Sequence, residues 1–308
     1  MAAIEISSVT KRFGTYAAVN DVSLSVPEGA IYGFIGPNGS GKTTTIRMIM
    51  NILLPDAGEV SVFGRQSSSS ARDDVGYLPE ERGLYKRMPV RRLLRYYGQL
   101  KGKPLKDIDP VITTWIERFQ LGPWADKKIE ALSKGMAQKV QFISAIVSKP
   151  RLLILDEPFT GLDPVNADTL KDAVLDLRRA GTTIVFSTHD MSAAERLCDR
   201  IFMIFKGQKV LDGTLDEIQS TYGQDTVRVR VSGGRAALAD FSEIESVNDF
   251  GNYQDLRLTS DPQAFLQKLS QKTAVQHFEL TKPSLNDIFV RIAQPTAEDL
   301  KRPVGGAD

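Results

Sequence analysis

The sequence predicts an α/β protein. A parallel α/β core opens with an antiparallel β portion, carries a helical insertion, and is followed by a small α+β domain. Three observations point there. Strand-length apolar runs such as "AIYGFI", "RLLILDE" and "TIVFST" alternate with amphipathic helical stretches, the pattern of a parallel sheet with crossover helices. A glycine-rich turn, "GPNGSGKT", stands between one such strand and one such helix. After about Tyr222 the texture changes to short alternating strands with compact helices between them.

The elements follow in order. "IEISSVT" and "VSLSV" carry β-branched residues in partial alternation and read as strands, punctuated by "KRFGT" and "PEGA". "AIYGFI" is a short apolar strand that ends at Gly36, and "TTTIRMIMNIL" is a helix stopped by Pro55. "GEVSVFG" is another strand, and "RQSSSSARDD" is a polar loop. From about Gly83 the pattern is helical. Val90, Leu93, Leu94 and Tyr97 share one face. Val111, Ile112, Trp115, Ile116 and Phe119 share another, with Pro110 near the start of that helix. "MAQKVQFISAIVSKP" is a third helix, stopped by Pro150. Strand "RLLILDE", helix "VNADTLKDAVLDLRRAG", strand "TIVFST", helix "MSAAERLC" and strand "RIFMIFKG" complete the core. In the appendage "TVRVRVSG", "YQDLRLTS" and "VQHFEL" read as strands. "DPQAFLQKLSQK" is a helix capped by Asp261 with Pro262 at its first position, and "SLNDIFVRIA" is a second helix. The expected division is residues 1–221 with a helical subdomain at about 83–150, a second domain at 222–294, and a disordered tail at 295–308.

Composition sets limits. The 308 residues are ample for a buried core, and 39 basic against 38 acidic residues leave a net charge of +1. That balance gives no field for nucleic acid. The single cysteine, Cys198, excludes an intrachain disulfide and reads as a small buried hydrophobe. No run reaches the ~20 apolar residues of a membrane span. No secretory leader is read at the N-terminus, so the chain is expected to be soluble by itself.

The chemistry begins at the turn. Gly36, Gly41, Lys42 and Thr43 fit the G-x-x-x-x-G-K-[ST] phosphate loop, with the strand before it and the helix after it that the loop requires. Glycines let successive backbone N–H groups curl around phosphate oxygens, and the helix N-terminus adds positive potential. Lys42 would reach the terminal phosphates, and the Thr43 hydroxyl would ligate Mg²⁺. Downstream, the apolar run of "RLLILDEP" ends in Asp156 and Glu157. Ligands of parallel sheets lie beyond the strand carboxyl ends, so Asp156 is placed to hold Mg²⁺ and Glu157 to act as general base. The plainer alternative is two solvated acids that open a turn before Pro158.

Between these stretches lies "LSKGMAQKV", from Leu132 to Val140. It has no evident nucleophile, acid or base. Taken alone, Ser133 reads as a helix cap.

The order "GPNGSGKTT", "LSKGM", "LLILDEP" with "TGLD", and "STHD" resembles the ATP-binding subunits of ABC transporters, over roughly Ile4 to Thr221. The resemblance implies a P-loop ATPase core that binds ATP through Gly36, Pro37, Asn38, Gly39, Ser40, Gly41, Lys42, Thr43 and Thr44. It implies that Phe13 in "VTKRFG" stacks on adenine; a core phenylalanine is the alternative. It implies that His189 contacts the terminal phosphate and orients water. It also implies a head-to-tail pair of copies, in which the signature of one chain (Ser133, Lys134, Gly135 and Met136) closes on the ATP of the other. Asp163 in "TGLDP" would cross that interface, and it can equally open a helix. A separate membrane permease would be the second partner, with the chain on the cytoplasmic face of the membrane.

Two segments depart from the family pattern, at three positions. Lys134 and Met136 replace a glycine and a glutamine of the usual signature, and Glu80 in "GYLPEERGLY" replaces a glutamine that contacts Mg²⁺ and water. A carboxylate remains a good oxygen ligand for Mg²⁺. The combination of "SKGM", "LPEERG" and a terminal "PSLNDIF" is similar to sodium- and drug-efflux ATPases, which implies an exporter. The basic run from Lys86 to Arg95 is a solvated helix face or a site near an anionic membrane. A soluble ABC-type ATPase acting on nucleic acid or ribosomes is the competing function. A P-loop kinase or GTPase is a third, which would leave the signature and His189 unexplained.

Overall fold

The computed structural model of the protein describes residues 1–66, 74–81, 83–222 and 225–295. It divides into two compact units, Met1–Gly213 and Thr214–Gln294, with Pro295 counted with the first.

The first unit opens with β1 (Ala2–Phe13) and β2 (Tyr16–Pro27), which form one long hairpin. The "KRF" expected as punctuation is strand, and the chain turns only at Gly14 and Thr15. Alternate residues Ile4, Ile6, Val22, Leu24 and Val26 are buried, so one face of the hairpin holds both strands to the core well past the local polar residues. β3 (Ile31–Ile35) is buried at every position, as a strand covered on both faces must be. α1 (Lys42–Ile49) is shorter than expected, because Asn51 turns left-handed (φ 52°) four residues before Pro55.

β4 (Ala57–Val62) and the short β5 (Arg65–Gln66) complete an antiparallel sheet in the order β2-β1-β4-β5. The serine run that follows lies outside the described residues. β6 (Val75–Leu78) is a strand the sequence pattern did not suggest; four residues are too few for a periodicity to register.

The helical insertion comprises α2 (Val90–Leu100), α3 (Leu105–Arg118) and α4 (Lys134–Ile146). α3 starts a turn before the expected point, so Pro110 is inside it rather than near its start. The added turn buries Ile108 in line with Ile112 and Ile116. Gly98 permits this packing, since a Cβ there would stand 2.6 Å from Ile108 Cδ1. That burial outweighs the single helical hydrogen bond that Pro110 cannot donate.

β7 (Leu152–Asp156), α5 (Pro164–Arg179), β8 (Thr183–Thr188), α6 (Met191–Leu197), β9 (Arg200–Phe205) and β10 (Gln208–Gly213) close the core. The six-stranded sheet runs β10-β9-β3-β8-β7-β6, parallel throughout except for the β9–β10 hairpin. This order brings the carboxyl ends of β3, β7 and β8 side by side. The fold is therefore the expected α/β core with an antiparallel portion and a helical insertion. Cys198 packs at the margin of this core, where its Sγ occupies the space a side chain at Gly33 would need.

The second unit holds α7 (Leu215–Tyr222), β11 (Thr226–Val231), β12 (Ile244–Asp249), β13 (Gln254–Leu258), α8 (Pro262–Lys272), β14 (Val275–Leu280) and α9 (Leu285–Ala293). Its antiparallel sheet has the order β12-β13-β11-β14, the split arrangement of a ferredoxin-like unit, and β12 adds one strand to those the sequence suggested. Val227, Val229, Leu256, Phe265 and Leu269 form its core.

Candidate active site

The phosphate loop leaves β3 and enters α1. Gly36 has φ 154°, and a Cβ on it would lie 2.2 Å from the Ile204 carbonyl oxygen. Gly41 has φ 111°, and its Cβ would lie 2.5 Å from the Ala18 carbonyl oxygen. Only glycine lets the loop curl this close to the sheet behind it. Lys42 Nζ donates to the carbonyls of Gly36 (2.7 Å) and Pro37 (3.1 Å), so the lysine folds back across its own loop. Burial pulls the Lys42 pKa down, and the carboxylates of Glu157, Asp156 and Glu80 oppose that shift. Ser40 Oγ is buried and has no hydrogen-bond partner among the described residues. Tyr16 donates its hydroxyl to the Gly39 carbonyl at 3.3 Å.

The acidic pair stands at the end of β7. Asp156 lies opposite Ser187 in the β7–β8 register, and the Ser187 hydroxyl donates to Asp156 Oδ1. Thr43 Oγ1 donates to the same oxygen at 3.4 Å. The second oxygen, Oδ2, is buried without a hydrogen-bond partner among the described residues. Burial pushes the Asp156 carboxyl above its usual range, against the bonds from Ser187 and Thr43. A threonine hydroxyl beside a carboxylate whose second oxygen is open fits a hard cation such as Mg²⁺. Among the described residues no three His, Cys, Asp or Glu side chains cluster as a metal cage. Mg²⁺ in phosphate sites commonly uses one or two carboxylates and completes its shell with substrate and water.

Glu157 turns away from Asp156 through a left-handed backbone (φ 48°), a conformation that costs a non-glycine residue energy and needs outside support. Its N–H lies within hydrogen-bonding distance of both the carbonyl (3.2 Å) and the hydroxyl (3.1 Å) of Ser187. Thr160 Oγ1 donates to Oε2 at 3.0 Å, His189 Nδ1 stands 2.9 Å from Oε1, and Lys42 Nζ lies 4.0 Å from Oε1. His189 follows directly on β8 and its side chain is half exposed. One carboxylate oxygen is thus held by a hydroxyl, and the other faces an imidazole and an ammonium. Such a carboxylate can take a proton from water while its orientation stays fixed.

Glu80 lies in the loop after β6. Burial, together with the charges of Asp156 and Glu157, raises its pKa. A cavity of about 280 Å³ gathers Glu80, Asp156 and Glu157 with Lys134, Gln138 and Gln141 of the α4 segment. Lys134 therefore lines the cavity of its own chain.

Ser133, Gly135, Met136, Asp163 and Phe13 are not among the residues that line this cavity. Ser133 caps α4, its hydroxyl accepting the Met136 N–H at 3.3 Å, and it is solvent-exposed. Gly135 lies tight against α5; a Cβ there would stand 3.0 Å from Asn166 Nδ2. Met136 is half-buried against the core of the insertion. Asp163 caps α5 through the Asn166 N–H (3.0 Å), so the helix-opening alternative describes its contacts in this chain. Phe13, at the end of β1, is 51% exposed, which removes the reading of it as a core residue. Of the basic run, Arg95 is bound by both oxygens of Asp109.

Pattern reading missed Ser187, Thr160, Gln138, Gln141 and Tyr16. Ser187 did carry a signal, a small polar residue inside the apolar strand "TIVFST". The others had none, since nothing local distinguishes a glutamine that lines a cavity from one on a surface.

The family model for ABC transporters matches residues 19–160, and the model described as ATP-binding protein DrrA1-3-like, C-terminal domain, matches residues 213–293. An ABC transporter ATP-binding protein of Bacillus subtilis, YhaQ, is 42% identical over 93% of this chain and 97% of its own length. Nod factor export ATP-binding protein I of Burkholderia lata is 33% identical over 97% of this chain and 99% of its own. A solved structure of an ATP-binding subunit of an ABC transporter superposes with a TM-score of 0.68 at 30% identity, covering 71% of this chain and 93% of that one.

Proposed function

The chain belongs to the ATP-binding subunits of ABC transporters, an ATP-hydrolysing family that works with membrane permease components, and we propose that it powers export through a separate permease as a head-to-tail pair of copies. The observation that carries the hydrolytic part is the Glu157 carboxylate, held by Thr160 and faced by His189 and Lys42 beside the phosphate loop. In this reading the loop from Gly36 to Thr44 binds the phosphates through backbone N–H groups. Lys42 leaves its two carbonyl acceptors for phosphate oxygens. Glu157 accepts a proton from the attacking water, and His189 orients that water from its exposed side. Thr43, Asp156 and Glu80 are the residues that would hold Mg²⁺, which when bound offsets charge on the transferred phosphoryl group. Phe13, exposed at the hairpin end, is available to stack on a base.

The export reading is supported by the likeness to a Nod factor export protein along nearly the whole chain. Among the described residues no helix is long and apolar enough to cross a membrane. We place the chain on the cytoplasmic face of the permease. The pairing is supported by the Ser133 segment, whose cap hydroxyl and helix N-terminus face solvent and suit a phosphate.

The test is the solution mass of Glu157→Gln with and without Mg-ATP. Removing the base should leave ATP bound and uncleaved. A mass that doubles only with ATP supports the pair. A variant that binds ATP and stays monomeric at all concentrations counts against it.

A further inference from the structure

We propose that Gln138 and Gln141 are positioning residues that hold the two acidic segments of the cavity from one helix. Both stand on α4, three residues apart, and so leave the same face. Both are buried, at 6% and 5% exposure. Gln138 Nε2 donates to the Pro158 carbonyl at 2.6 Å, one residue beyond Glu157. Gln141 Nε2 donates to the Glu81 carbonyl at 3.2 Å and reaches the Pro79 carbonyl at 3.5 Å, the outer limit of a hydrogen bond. Its carboxamide therefore spans the backbone on either side of Glu80. The neighbouring α4 positions Val140, Phe142 and Ile143 are wholly buried apolar residues. Two glutamines beside them are costly to desolvate unless their donors are used, and here both donors grip loops that carry a cavity carboxylate.

The consequence concerns motion as well as placement. α4 begins at the Ser133 cap. A shift of that helix carries the Pro158 and Glu81 carbonyls with it, and so repositions Glu157 and Glu80. The hydrolytic geometry of a chain then follows the position of its own Ser133 segment. This inference rests on the ATPase reading of the site.

The experiment uses the full chain with Gln138→Leu and Gln141→Leu, which remove the donors and keep comparable volume. Each should lower kcat for Mg-ATP about tenfold with KM nearly unchanged, the size expected for a lost buried hydrogen bond. In a Glu80→Gln background the Gln141→Leu effect should shrink, because the two changes act on one segment. Hydrogen exchange at the Glu80 and Glu81 amides should quicken in Gln141→Leu while α2 and α3 exchange as before. A lower melting temperature with kcat and exchange unchanged would overturn the proposal. So would an undiminished kcat loss in the Glu80→Gln background. If the unmodified chain hydrolyses no ATP, the ATPase reading fails, and the exchange measurement still decides whether Gln141 holds the Glu80 segment. Should Gln141→Leu fail to fold, Gln141→Met serves in its place.

Discussion

Ser187 stands directly across the β7–β8 pair from Asp156 and gives its hydroxyl proton to Asp156 Oδ1, while its oxygen also lies 3.1 Å from the Glu157 N–H. One buried hydroxyl thus orients two consecutive acids. Ser187→Ala should fold, because the strand pairing around it is untouched. It should weaken Mg-ATP binding by roughly tenfold or more, since a hydrogen bond to a charged group contributes about 1.5–3 kcal/mol. Titration calorimetry with Mg-ATP measures this directly, and an unchanged affinity would show that Asp156 does not depend on Ser187.

Ser133 is both a helix cap and a proposed phosphate ligand, and two substitutions separate these roles. Ser133→Ala removes the cap and should cost about 1 kcal/mol of stability. Ser133→Asp keeps a good cap and places a carboxylate where a phosphate would come. It should therefore unfold at the denaturant concentration of the native chain and yet fail to pair when ATP is added to a Glu157→Gln background. Normal pairing by Ser133→Asp would leave the residue with the cap alone.

Gly36→Ala tests the packing of the phosphate loop. The new Cβ would meet the Ile204 carbonyl oxygen at 2.2 Å in a backbone conformation that alanine rarely adopts. Backbone strain alone costs about 1–3 kcal/mol, and the clash adds to it. A fall in stability of about 3 kcal/mol is expected in urea unfolding, together with lost ATP binding. A stable variant would mean that β9 yields more readily than its buried position suggests.

The second unit should weaken in acid. Asp225 is partly buried, which by itself would raise its pKa, but Arg257 and Arg291 beside it bring the value below the ordinary carboxylate range. A carboxyl lowered on folding stabilises the fold at pH values above its unfolded pKa of about 3.9. That contribution is lost as pH falls from there through the lower folded value. Asp225→Asn should therefore lower the urea midpoint of this unit at pH 7 and converge with the native chain in strong acid. Equal differences at pH 7 and pH 2.5 would rule out the ion pairs as the cause.

Much of the architecture was legible in the sequence because its causes are local. Val90, Leu93 and Leu94 announce a helix face by their spacing, and all three are fully buried. "LLILD" announces a strand covered on both faces, and every residue of β7 is buried. β6 escaped notice because four residues carry too little pattern, and α3 began early because Ile108 found room against Gly98. Neither fact is present in the segment concerned.

The sequence by itself marked out the residues that we propose handle a nucleotide. The glycines, Lys42 and Thr43 follow from the stereochemistry of a phosphate loop, and Asp156 and Glu157 from the end of an apolar strand. Only the tertiary structure decided how these groups are held. The order β3-β8-β7 puts Ser187 against Asp156 across 31 positions of chain, and α4 lays Gln141 against the carbonyl of Glu81 across 60. Local propensities act over a few residues along the chain. Strand order and helix packing are set by which apolar faces are buried together, so the partners of a buried hydroxyl or carboxamide emerge only when the whole core has formed.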